Sequence, residues 1–243
     1  MNRFRITPSV IPNLFTAMNM FCGFFSIVSA SQGNIKYAGW LIIIAAIFDA
    51  LDGFMARLTK SSSELGVELD SLSDVVSFGV APAFLLYTTY FFKMETFGVI
   101  ISSLPMIAGG FRLARFNVQL VGFDKKHFTG LPIPSSALTV VCFILTFYDE
   151  YTGEYLKSLE FTIIPLVLLV SYLMVSKIKY DTLPKFTPSE IKKKPLLYAA
   201  YFSALIVLIL FNVKGLFFIF VFMIAFGIFR QIFTYFSIKK EEL

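Results

Sequence analysis

The feature that most limits what this chain can become is the recurrence of apolar runs about as long as a lipid bilayer is thick. A helix rising ~1.5 Å per residue needs about 20 predominantly apolar residues to cross a hydrocarbon layer of about 30 Å. Such runs fall near 10–30, 35–58, 63–92, 97–117, 134–148, 159–177, 196–212 and 215–236. With 57% hydrophobic residues among 243 and a mean hydropathy of +0.76, a water-soluble domain is excluded. The expectation is an all-α, polytopic membrane helix bundle of about eight transmembrane helices. No internal repeat or low-complexity linker divides it, so 1–243 reads as one membrane domain.

An even number of spans puts both termini on one side, and the Lys and Arg positions choose that side. If Met1 is cytoplasmic, the inner segments hold 17 of the 21 Lys and Arg residues, among them Arg57, Lys60, Arg112, Arg115 and the run Lys192, Lys193, Lys194. Only Lys36, Lys93, Lys157 and Lys214 fall outside. Cytoplasmic loops of membrane proteins carry this excess, so both termini are expected in the cytoplasm. The net charge of +5 then reflects topology and contact with anionic lipid, and it gives no reason to expect a nucleic-acid partner. The opening "MNRFR" and its apolar run resemble a leader, but the run is long and carries Asn13 and Asn19, which suit a retained helix facing protein. Cys22 and Cys142 fall on different helices without metal-ligand spacing and read as packing residues. His127, the only histidine, lies in the basic inner loop 118–133.

Four aspartates interrupt this apolar pattern, in "DALDGFMARLTKSSSELGVELDSLSD" at 49–74. An ionised Asp near the bilayer centre costs roughly 2.5–3.5 kcal/mol, so these side chains must face a polar interior. Asp49, Asp52 and Ala56 share a stripe at i, i+3, i+7; Asp70 and Asp74 are i, i+4 on the next helix. Ser61 and Glu64 have the spacing of a capping box that starts this second helix. Helical rise places Asp49 and Asp74 about 12 Å from the inner edge, and Asp52 and Asp70 about 6–8 Å. An antiparallel hairpin would therefore set them opposite one another as two facing pairs. Carboxylates ~4 Å apart repel by about 4 kcal/mol at an effective dielectric of 20, so cations are required. Four Asp without His or Cys are hard oxygen donors suited to Mg2+ or Mn2+, and can hold two such ions. Gly53, Ala56 and Gly66 leave room for a ligand, although small residues also serve plain helix packing. Arg57 adds a cation at the mouth, as a phosphate contact or as an interfacial anchor.

As spacing the stretch is D-x2-D-G-x2-A-R-x8-G-x3-D-x3-D, which resembles the signature of the CDP-alcohol phosphotransferases, membrane enzymes of phospholipid synthesis, at every fixed position. The resemblance implies that Asp49, Asp52 and Asp70 bind two divalent metals, with Asp74 both ligand and catalytic base. It implies a CDP site lined by Gly53, Ala56, Arg57 and Gly66, and by Asn13 and Thr16 of the first helix. It also implies a homodimer.

"PNLFTAMNMFCGF" at 12–24, "RLARFN" at 112–117 and "FTGLPIPSSA" at 128–137 resemble the bacterial and archaeal phosphatidylserine synthase branch of that family. This implies CDP-diacylglycerol as donor and L-serine as acceptor, in a prokaryotic cell membrane with the site facing the cytoplasm. Together with the signature it covers roughly 9–140; the catalytic core is expected within about 9–212, and 196–236 is least covered. Arg112 and Arg115, i and i+3 at an inner helix end, could pair with an acceptor carboxylate, but an acceptor phosphate would want the same cations. Glycerol 3-phosphate, inositol phosphate and choline therefore stay open as acceptors. A divalent-cation transporter is the alternative from another class, since intramembrane carboxylates often mark ion paths.

Overall fold

A computed structural model describes residues 10–61, 63–120, 130–178, 180 and 195–241. The expectations attached to His127 and to Lys192, Lys193 and Lys194 lie outside the described residues.

The chain opens with a helical hairpin, α1 (Val10–Ser31) and α2 (Ile35–Thr59). The link is tight because Gly33 takes φ +84°, a conformation that costs glycine little, and the Gly33 and Asn34 N–H groups close on the carbonyls of Ala30 and Ser29. Helix α2 ends at Lys60, which adopts the left-handed conformation and donates its N–H to Ala56 O. The next helix, α3 (Glu64–Asp74), is capped by Ser63, whose Oγ accepts from the Gly66 N–H at 3.1 Å. The cap is thus two residues later than the Ser61–Glu64 spacing suggests. The left-handed Lys60 and the extended Ser63 use up the connection, and Ser61 instead shares a 2.6 Å hydroxyl contact with Thr59. Glu64 falls in the first turn of α3, where its charge meets the positive helix end.

After α3 the backbone loosens into a π turn, Val75–Val80, before resuming as α4 (Ala81–Thr89). Pro82 supplies the cause: it has no N–H to donate and its ring would press on the preceding turn, so the helix takes up an extra residue per turn just before it. A short 3-10 turn, Phe91–Met94, leads into α5 (Glu95–Leu120). Then come α6 (Ile133–Phe147), a hairpin of β1 (Tyr148–Asp149) and β2 (Glu154–Tyr155), α7 (Ile163–Val175) and α8 (Pro195–Glu241). The two-residue strands, paired Tyr148 with Tyr155, are a small departure from the all-α expectation. Helix α8 breaks at Asn212, at φ 50° and ψ −129°. Eight residues span about 12 Å of straight helix, yet a Cβ on Gly215 would touch the Val207 carbonyl, so the chain bends back sharply there.

By length and composition, Val10–Ser31, Glu64–Thr89, Phe91–Val118 and Leu210–Phe233 can cross a membrane; Ile133–Phe147 and Glu160–Val175 are apolar but shorter. The packed interior is built from Ile42, Phe78, Leu85, Leu86, Ile133, Ile144, Val167 and Met174. Large apolar side chains such as Leu14, Phe24, Ile47, Phe54, Phe222 and Phe229 are exposed on the outside of the bundle, as lipid-facing residues should be. One bundle end is closed by aromatic rings, with Tyr155 stacked on Phe143 and its hydroxyl 2.7 Å from Thr89 Oγ1. The acidic stretch lies at the other end.

Helix α1 and the π turn approach closely enough that a Cβ on Gly23 would collide with Ser77, including its Cα at 2.6 Å. Gly23→Ala should therefore destabilise by roughly 1–3 kcal/mol. Gly110→Ala, where a Cβ meets nothing within 4 Å, should be neutral or slightly stabilising. Unfolding of both variants in detergent checks the contrast.

Candidate active site

Six helix ends meet at the acidic end of the bundle: the starts of α1, α3 and α6 and the finishes of α2, α5 and α7. The polar bonds between them follow from residue spacing. Ser73 and Ser77, one turn apart, donate to the carbonyls of Thr16 (3.1 Å) and Asn19 (2.8 Å), fastening α3 and the π turn to α1. Asn117 on α5 exchanges hydrogen bonds with Ser71 on α3, its Nδ2 lying 3.0 Å from Ser71 Oγ. These bonds fix the faces from which the aspartates project.

Asp49, Asp70 and Asp74 converge, each offering a carboxylate oxygen within 4.8 Å of the others. Asp49 and Asp74 face each other within this trio, as the depth comparison expects. Asp52 is not one of the three. It accepts from Thr16 Oγ1 at 2.8 Å and stands beside the trio, 6% exposed. Thr16 reaches it because α1 packs directly on α2, a contact that the spacing of the aspartates alone cannot reveal.

The residues fit a divalent cation. Asp70 Oδ1 and Asp74 Oδ1 are buried and have no hydrogen-bond partner among the described residues, a state that costs about 1–3 kcal/mol per group unless something binds there. The donor set is all carboxylate oxygen, which suits Mg2+ or Mn2+.

The remaining predicted residues divide. Asn13 joins the site through Gly66: a Cβ there would lie 3.4 Å from Asn13 Oδ1 and 3.1 Å from Ser63 Oγ. Gly53 is open, with only the Arg57 guanidinium 3.6 Å from a built Cβ, and Arg57 itself is exposed at the mouth. Ala56 is half-buried, and its carbonyl accepts from the Lys60 and Ser61 N–H groups at the end of α2. Arg112 lies within electrostatic reach of Asp74. Arg115, one turn on, donates from its guanidinium to Val175 O at 3.1 Å and reaches Ser176 O at 3.5 Å, at the end of α7. The GLPIP segment is drawn to the same place. The Gly130 and Leu131 N–H groups bond Ile178 O and Leu173 O, and Gly130 has φ +88°. Pro132 caps α6 and Pro134 lies in its first turn, so this segment clamps α6 to α7.

Sequence reasoning did not find Asn19 as part of this end of the bundle. It is 0% exposed, and neither atom of its amide has a hydrogen-bond partner among the described residues. The available signal was its place three residues after Thr16 on the same buried stripe.

Residues 9–175, which include every aspartate of the site, match the sequence profile of the CDP-alcohol phosphatidyltransferases. The chain belongs to that family. The family is generally dependent on divalent cations. The chain is 39% identical over 176 residues to a CDP-diacylglycerol–serine O-phosphatidyltransferase of Helicobacter pylori, covering 72% of this chain and 73% of that protein. It is 38% identical over 184 residues to an archaetidylserine synthase of Methanothermobacter thermautotrophicus, covering 74% and 73%. A Bacillus subtilis CDP-diacylglycerol–serine O-phosphatidyltransferase is 33% identical over 187 residues, covering 75% and 96%.

The bonds from Arg115 to the α7 end are charge-assisted, the 3.1 Å one exposed and the 3.5 Å one partly buried. Arg115→Ala should cost about 1–3 kcal/mol of stability. Unfolding in detergent, with Arg115→Lys as a partial rescue, checks this.

Proposed function

We propose that the protein transfers the phosphatidyl group of CDP-diacylglycerol to the hydroxyl of L-serine, giving phosphatidylserine and CMP. The observation that carries the reading is the convergence of Asp49, Asp70 and Asp74, with Asp52 beside them, at the spacing of the family signature. The choice of serine rests on the relatives, which carry serine-transferring names in bacteria and archaea alike. It rests also on the RLARFN and GLPIP segments, which hold the α5, α6 and α7 ends in place.

In this reading Asp49, Asp52, Asp70 and Asp74 hold two divalent cations, Mg2+ or Mn2+. When bound, these neutralise the diphosphate of the donor and the charge that grows on departing CMP. Asp74 accepts the serine hydroxyl proton as the new O–P bond forms and the bond to CMP breaks. Gly53, Ala56 and Gly66 give the nucleotide backbone to lie against, with Asn13 and Thr16 at its edge and Arg57 near the phosphates. Arg112, near Asp74, and Arg115, which also bonds the end of α7, are the cations that meet the serine carboxylate.

The same reading places about eight spans in the cytoplasmic membrane of a prokaryote, with both termini and the acidic end inside. Water-soluble serine then reaches the site from the cytoplasm while the donor's acyl chains stay in lipid. One membrane domain covers 1–243, with the core in 9–212, and the protein works as a homodimer. The exposed apolar faces and the excess of inner Lys and Arg support this arrangement.

Purified protein in detergent should release CMP from CDP-diacylglycerol when Mn2+ or Mg2+ and L-serine are supplied, and lose that activity on chelation. Release with glycerol 3-phosphate or inositol phosphate but not serine would keep the chemistry and remove the acceptor. Asp74→Asn should lower kcat by about 10²–10⁴ while CDP-diacylglycerol still binds. Turnover near the unsubstituted rate would remove Asp74 as the base.

A further inference from the structure

Thr16, Asn19, Gly23 and Ser26 recur at i, i+3, i+7 and i+10 on α1, and all four are buried. Their face looks into the seam between α2 and the α3–π-turn helix: Thr16 bonds Asp52, Gly23 abuts Ser77, and Ser26 Oγ donates to Ala38 O at 2.8 Å. Asn19 is about 4.5 Å further along α1 than Thr16, and Asp49 about 4.5 Å further along antiparallel α2 than Asp52. Asn19 is therefore level with Asp49. It is also level with Asp74, because Ser73 and Ser77, on either side of Asp74, bond the carbonyls of Thr16 and Asn19.

This level of the seam holds buried polar atoms with no hydrogen-bond partner among the described residues: both amide atoms of Asn19 and Asp74 Oδ1, with Asp70 Oδ1 one helical turn below. Two to four polar partners around one point are what a buried water requires. We propose that Asn19 is a positioning residue of the acidic site, holding a buried water that bridges its amide to Asp74 and fixes how that carboxylate faces a divalent cation. A simple packing role does not suit it, because an amide buried without partners weakens the fold where Leu or Ala would serve.

The proposal rests on the cation-binding reading, and its test separates the two. Mn2+ binding is measured without substrate, by electron paramagnetic resonance or calorimetry, on unsubstituted protein, Asn19→Leu and Asn19→Ala, together with the unfolding temperature of each. Asn19→Leu, close in size and apolar, should unfold at the same temperature or higher and bind Mn2+ ten- to a hundredfold more weakly. Asn19→Ala, which leaves space for further water, should lose several-fold and decides the matter if the Leu variant does not fold. Unsubstituted affinity in the variants, with or without lost stability, overturns the role of Asn19 and leaves the cation site standing. Absence of Mn2+ binding by the unsubstituted protein sinks the cation reading and this inference with it.

Discussion

Mutual repulsion among carboxylates inside a membrane is the constraint on which the rest of the structure depends. Asp49, Asp70 and Asp74 are held within 4.8 Å of one another, and each pair would repel by about 4 kcal/mol if ionised at ~4 Å. A bound cation can relieve that energy only if the carboxylates are already held facing it, so the neighbouring helices must fix the geometry. Thr16 takes Asp52, Ser73 and Ser77 tie α3 to α1, and Asn117 ties α3 to α5. Small side chains let these bonds form: Gly23 brings α1 against the π turn, where a larger residue would push Ser77, and the carboxylate beside it, out of place.

The parts of the structure written in local periodicity were legible in the sequence. Apolar runs marked the helices to within a few residues, and even the interruption between the last two runs matches the bend at Asn212. The aspartate spacing identified the two helices whose faces meet, and comparing depths found Asp49 opposite Asp74. What escaped depended on a third partner. The bond to Asp52 could not be seen, because Thr16 reaches it from another helix. Arg112 and Arg115 looked equivalent at i, i+3, and only the finish of α7 shows that Arg115 also bonds its carbonyls. Ser61 and Ser63 both had plausible cap chemistry. The choice fell to the left-handed turn at Lys60, a backbone event with no strong residue signal.

The π turn occupies the one place where these two kinds of information meet. Pro82 removes a backbone donor, the loosened turn falls at Val75–Val80, and Asp74 is the last residue before it. A straight α-helix through this region would carry the faces of α3 and α4 in one register, so α3 could not aim Asp70 and Asp74 at α2 independently of how α4 buries Leu85 and Leu86 in the core. An extra residue in one turn rotates the two halves relative to each other. Proline deep in a membrane helix is tolerable only where neighbours satisfy the freed groups. Here the Ala81 N–H finds Val76 O, and Ser77 bonds across to α1. The helix thus gives up regular bonding to satisfy two demands on its faces: a polar site at one end and an apolar core at the other.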